Sequence, residues 1–140
     1  WRLTPHPLKP LFDAPEGVTS CTRRDRSNVP VQALALLNET SFYASARGLG
    51  RWAWRQPGGV TTRLDAMCFR CLGRNPSSAE RRVLLNLFTA QRETLLQDSA
   101  GCRTILAIEG HATDDALADR AAWVLVARVV LNLDEFFTRE

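Results

Sequence analysis

The sequence lacks a hydrophobic run long enough to cross a membrane. Its most apolar stretch, AAWVLVARVVLNL, is interrupted by Arg128 and is shorter than the roughly 20 residues that a spanning helix needs. Lysine is almost missing too, because Lys9 is the one lysine among 18 basic residues. We interpret this imbalance as the mark of a GC-rich coding sequence. Convincing alternation of polar and apolar residues is also absent, which argues against a β-sheet.

An initiator methionine and a charged-then-apolar leader are missing as well, since the chain begins at Trp1. We therefore expect the C-terminal fragment of a larger protein, with its targeting information upstream. The 140 residues suffice for a single domain with its own core. A net charge of only +3 is too small a basic excess to favour nucleic-acid binding, which we do not expect.

Capping residues and apolar spacing predict an all-α fold, a compact bundle of about five helices over residues 21–140. Residues 1–20 hold four of the seven prolines and predict an extended N-terminal arm. Ser77 and Glu80 are spaced as a capping box, and Gly73 is placed to end the helix before them. The predicted helices cover about 31–38, 39–55, 61–72, 79–97 and 114–131.

Two details of the second half complete this prediction. Asp98 to Gly101 is expected to be a turn, followed by a short apolar piece. The last helix is predicted from Leu117, Ala121, Leu125 and Val129 at helical spacing, although its β-branched run WVLVARVVL alone could be a buried strand.

Three segments in order resemble the PSD1 domain of planctomycetes, domain-of-unknown-function family 1553. They are LFDAPEGVTSCTRRDRSNVPVQALALLNETSF at 11–42, LGRNPSSAE at 72–80 and AAWVLVARVVLNLDEFFTRE at 121–140. The resemblance rests on a Phe-Asp-x-Pro turn, an arginine cluster after Cys-Thr, an Asn-x-Pro-x-Gln-Ala-Leu helix, a Gly-Arg-x-Pro turn and a closing Leu-Asn-x-x-Glu-Phe. It corresponds to the C-terminal portion of the family domain.

The sequence departs from the family pattern at a few positions. Val29 precedes Pro30 where the family usually has threonine, and Thr40 stands where a proline often begins the next helix. Cys68 and Cys71 replace ordinary helix residues.

The resemblance implies a setting more than a reaction. Such proteins resemble large exported bacterial proteins that carry an upstream cytochrome-c-type domain and a companion domain of unknown function. It therefore implies a periplasmic or cell-surface location, with haem c bound in an upstream part of the parent protein and none in this segment. No catalytic residues come with the family.

The densest charge cluster, Arg23, Arg24 and Arg26 around Asp25, directly precedes a predicted helix start. One hypothesis is a structural clamp, in which guanidinium forks hold the arm against helix ends and carboxylates. The alternative is a site for an anionic or hydroxyl-rich ligand such as a sulfated polysaccharide. The candidate residues for either role are Arg23, Arg24, Arg26, Asn28, Gln32, Asn38, Asp134 and Glu135.

The pair Cys68-Phe-Arg-Cys71 has the spacing of a redox or metal half-site. Covalent haem attachment would need a histidine after the second cysteine, and Leu72 stands there. We expect no metal site, and we interpret both thiols as small buried apolar groups. A disulfide involving Cys21 or Cys102 remains an alternative, because sequence cannot fix the pairing.

Two functions follow as expectations. The first is an uncharacterised structural or interaction module at the C-terminus of an exported, cytochrome-c-associated protein, whose partners are the upstream domains and possibly a polysaccharide or a protein. The second is part of a periplasmic enzyme, polysaccharide-directed or redox-linked, with a pocket lined by Arg23, Arg24, Asn28 and Gln32. Nothing in the sequence identifies a nucleophile or a general acid–base pair.

The clamp hypothesis predicts that Arg24→Ala lowers the melting temperature, because the substitution removes a fork that holds the arm to the helices. Thermal unfolding followed by circular dichroism measures this effect. A variant that melts like the wild type would contradict the clamp.

Overall fold

The computed structural model describes residues 34–35, 39–108 and 115–137. The chain divides into two units, residues 1–39 and residues 40–140. In the first unit Leu34 and Ala35 are helical, within the predicted first helix, and Glu39 follows. The predicted arm over residues 1–20 lies outside the described residues.

The all-α prediction is confirmed, because the described part of the second unit is built of helices and contains no strand. The expected bundle of about five helices agrees with the six that occur in this part. They are α1 (Thr40–Arg55), α2 (Val60–Leu72), α3 (Ser78–Leu96), α4 (Ser99–Leu106), α5 (Asp115–Leu131) and α6 (Asp134–Phe137). None of the described helices is both long and apolar enough to cross a membrane.

The predicted signals at the junction between α2 and α3 are confirmed. Gly73 ends α2 in the left-handed region, with φ of 75°, and its N–H donates to the carbonyl of Phe69. Ser77 caps α3 by accepting a hydrogen bond from the N–H of Glu80, whose carboxylate accepts one from the N–H of Ser77. The chain therefore turns sharply between two well-capped helix ends.

The expected turn from Asp98 to Gly101 was wrong, because α4 begins at Ser99. The carboxylate of Asp98 accepts a hydrogen bond of 2.8 Å from the N–H of Gly101, so this acidic residue is an N-cap. At the other end, the Nε of Arg47 donates to the carbonyl of Ile105 at 2.8 Å and satisfies one of the last carbonyls of α4.

Helix α5 forms the centre of the second unit and packs against α1, α2, α3 and α4. Its buried residues include Leu117, Ala121 and Trp123, and the Trp123 ring lies 4.8 Å from the ring of Phe88 on α3. A helix that is apolar on most of its surface is stable only when other elements cover it. The prediction of a helix here is confirmed, and Val129, the last residue of the spacing that predicted it, is 37% exposed.

Helices α1 and α5 approach each other closely at Gly50. A Cβ atom on this glycine would lie only 2.7 Å from the backbone nitrogen of Val124. Ala46 and Ala53 share the buried face of α1 with Gly50. Small residues on this face therefore let the two backbones come together.

This contact predicts opposite effects for two glycines on the same helix. Gly50→Ala forces α1 away from α5 and should lower the free energy of unfolding by about 1–3 kcal/mol. Gly48→Ala should instead raise it by about 0.5–1 kcal/mol, because Gly48 has open space around it and alanine is the better helix former. Urea denaturation measures both. Equal effects of the two substitutions would contradict the close approach.

Candidate functional site

The structure describes two of the predicted site residues, Asp134 and Glu135, in the first turn of α6. The other six lie outside the described residues: Arg23, Arg24, Arg26, Asn28, Gln32 and Asn38. The clamp and ligand-site hypotheses for this cluster therefore stay predictions. Glu135 is nevertheless part of an arginine–carboxylate cluster with a different arginine.

That arginine is Arg74, in the turn between α2 and α3, and its guanidinium group holds two carboxylates at once. Its Nε and Nη2 donate to Glu135 at 2.8 and 2.5 Å. Its Nη1 and Nη2 donate to Glu80 at 3.0 and 2.9 Å, and Nη1 also donates to the carbonyl of Asn75 at 3.2 Å. Five hydrogen bonds match the five N–H donors of a guanidinium. We call Arg74, Glu80 and Glu135 the Arg74 cluster.

The turn geometry places the two carboxylates around Arg74. Because Gly73 reverses the chain and Ser77 caps α3, Arg74 and Glu80 come together across a six-residue separation. The Oε2 of Glu80 also accepts a hydrogen bond of 2.7 Å from the Ser77 N–H. The same carboxylate thus closes the capping box and binds Arg74.

Glu135 reaches the cluster from the other end of the chain. After α5, the N–H of Asn132 donates to the carbonyl of Val129 and the N–H of Leu133 donates to the carbonyl of Val130, so the chain turns before α6 begins. The buried Oδ1 of Asn132 accepts no hydrogen bond. Helix α6 packs against α2, which brings Glu135 to the turn that follows α2.

The charges of the cluster stabilise one another. Hydrogen bonds from Arg74, and then those with Ser77, lower the pKa of Glu80 from 4.5 to about 2. Arg74 also lowers the pKa of Glu135, and the two glutamates raise the pKa of Arg74. All three side chains remain about two-fifths exposed, so water screens these pairs. Their main effect is geometric, because two bidentate contacts fix three chain segments.

Sequence reasoning identified Glu135 but missed Arg74 as its partner. Arg74 lies in the Gly-Arg-x-Pro turn and Glu135 in the closing Leu-Asn-x-x-Glu-Phe, so both belong to segments that carry the family resemblance. Their separation of 61 residues gives no local signal. A signal closer to Arg74 in the sequence was the capping-box residue Glu80, because its carboxylate faces the turn that contains Arg74.

The cysteine pair lies in the interior, as predicted for Cys68. Cys68 and Cys102 are buried, Cys71 is half-buried, and all three are free thiols. Burial raises the pKa of Cys68 to about 11 and also raises those of Cys71 and Cys102. The Cys102 thiol donates to the carbonyl of Leu95 at 3.3 Å. At neutral pH these thiols are protonated and poor nucleophiles.

In the described ranges, no group of three or more His, Cys, Asp or Glu side chains is arranged to hold a metal ion. Two further ion pairs link helices. Arg81 on α3 binds Asp65 on α2, and Arg92 on α3 binds Asp119 on α5.

Comparison with known proteins identifies one family. Residues 1–88 match PSD1, described as a protein of unknown function (DUF1553). The match ends within α3, at the residue whose ring packs on Trp123. Neither the curated proteins nor the solved structures contain a match to the chain.

The lowered pKa values predict how stability responds to acid. A carboxyl group whose folded pKa is depressed contributes stability above its unfolded pKa, and this contribution is lost as the pH falls through the folded pKa. For Glu80 the window runs from 4.5 down to about 2. The unfolding free energy of the wild type should therefore fall more steeply across this window than that of Arg74→Met.

Urea denaturation at a series of pH values measures both slopes. Arg82→Met is the matched control, because Arg82 is an exposed arginine on α3 that makes no ion pair in the described structure. Its slope should equal that of the wild type. If Arg74→Met also kept the wild-type slope, the cluster would not be the source of the pKa shifts.

Proposed function

This chain belongs to the PSD1 family of proteins of unknown function (DUF1553), and on that premise we propose that it is a non-catalytic structural and interaction module. The module forms the C-terminal helical part of an exported bacterial protein. Its partners are the upstream domains of the parent chain, and a polysaccharide or another protein is a further partner.

The Arg74 cluster is the observation that carries this proposal. An arginine that binds a ligand keeps donors of its fork available. All five donors of Arg74 are instead engaged within the chain, with Glu80, Glu135 and Asn75. Two segments that resemble the family pattern therefore serve to hold the end of α2, the start of α3 and α6 together.

The state of the cysteines supports the same function. A redox or nucleophilic CxxC pair relies on a thiol with a lowered pKa, commonly at a helix N-terminus. Cys68 and Cys71 lie in the last two turns of α2, and burial raises both pKa values. They act as apolar groups in the packing between α2 and its neighbours.

The exported, haem-associated setting is supported by the resemblance of the motifs at 11–42, 72–80 and 121–140. Covalent haem c requires Cys-x-x-Cys-His, and Leu72 follows Cys71 here. The residues of this segment do not fit the group, and the proposed setting, which rests on the resemblance, has haem c in an upstream part of the parent protein.

The test uses the parent protein in its native host. Cell fractionation should find it in the periplasmic or surface fraction, and it should stain for covalent haem. A cytoplasmic parent without haem would contradict the exported, cytochrome-associated function. The non-catalytic role is tested with the Arg24→Ala and Gln32→Ala variants of the same parent protein. If a variant loses a host phenotype while its protein level and melting temperature stay at the wild-type values, the result favours the enzyme function instead.

A further inference from the structure

The arginines of the described residues differ in their partners. Arg74, Arg81 and Arg92 form ion pairs with carboxylates. Four others, on or beside α1, form none in the described structure, and we call them the α1 arginine face. They are Arg51, Arg55, Arg70 and Arg120; Arg47 is not counted, because its Nε and Nη2 donate to the carbonyls of Ile105 and Thr104.

Helix α1 has a charge pattern unlike that of its neighbours. It carries arginines at 47, 51 and 55 and no acidic residue. Residues four apart lie about 6 Å apart along a helix and share one side of it. Arg51 and Arg55 are exposed, opposite the buried Gly50 and Ala53. Among the described residues no carboxylate forms an ion pair with Arg51 or Arg55, so the outer surface of α1 presents two unneutralised positive charges one turn apart.

Exposed small residues make these charges accessible. Ala44 and Gly48 are exposed on the same outer surface, and no atom lies within 4 Å of the position of a Cβ on Gly48. A chain-like ligand can therefore lie along α1 without displacing bulky side chains.

Aromatic rings hold the arginines on both flanks of α1. Arg120 of α5 lies 5.7 Å from the ring centroid of Trp54, and Arg70 of α2 lies 4.7 Å from that of Trp52. Such contacts restrict a guanidinium while leaving its N–H edge free to bind an anion. The flanking arginines are thus oriented before any ligand binds.

We propose that the α1 arginine face binds an anionic polysaccharide through its sulfate or carboxylate groups. Guanidinium forks bind these groups in a bidentate manner. Single-stranded nucleic acids are usually held by bases stacked on open aromatic faces, but here the chain's own arginines lie over Trp52, Trp54 and Tyr43. None of the arginines of this face belongs to the Arg74 cluster, so the proposal holds or fails independently of the structural function of that cluster.

The test measures binding of the 140-residue chain to dextran sulfate, with neutral dextran and duplex DNA as comparison ligands. The wild type should bind dextran sulfate, bind neutral dextran undetectably, and lose affinity as the salt concentration rises. Arg51→Glu should weaken binding by about tenfold, because a charge-assisted contact is replaced by a repulsive one. Arg51→Gln should cause a smaller loss.

Arg82→Glu is the control, since it reverses one charge on an exposed helical arginine of α3. Its affinity should stay within about twofold of the wild type. Circular dichroism verifies that each variant is folded. Three results would overturn the proposal: no binding to dextran sulfate, equal losses in Arg51→Glu and Arg82→Glu, or tighter binding to duplex DNA than to dextran sulfate.

Discussion

The second unit depends on the close approach of α1 and α5, which only a residue without a side chain permits at position 50. A Cβ there would overlap the backbone at Trp123 and Val124. Because α5 is buried on most of its surface, the helices around it gain their stability by covering it. The contact between Gly50 and Val124 sets the distance at which α1 packs against α5.

The Arg74 cluster fixes a different part of the same unit. Packing on α5 is apolar and therefore weakly directional, whereas a guanidinium that binds two carboxylates defines the relative positions of three segments. Arg74 ties the turn after α2 to the start of α3 and to the short helix α6. Charged residues at the ends of helices thus supply the geometric precision that the core alone does not.

Much of the helical architecture could be predicted from local signals. Gly73 and the Ser77–Glu80 capping box gave the correct end of α2 and start of α3, because caps depend on residues within one turn of each other. The same reasoning failed at Asp98, where an N-cap was interpreted as a turn because Gly101 is a weak helix former. Its carboxylate compensates by bonding the N–H of Gly101.

The contact between α1 and α5 and the candidate site were both harder to predict, for the same physical reason. Gly48 and Gly50 are two residues apart on one helix, yet only Gly50 meets another backbone, and no local pattern distinguishes them. Arg74 and Glu135 are brought together by the packing of α6 on α2. Partners that are determined by tertiary packing leave no trace in local spacing.

The central claim is that residues of the family-like segments act by binding each other. A double-mutant cycle on Arg74→Met and Glu135→Gln, with unfolding free energies from urea denaturation, tests it most directly. The account predicts that the double variant is more stable than the sum of the two single losses implies, since either substitution alone already breaks the contact. Strictly additive losses would show that the two side chains do not stabilise each other, and would contradict the account.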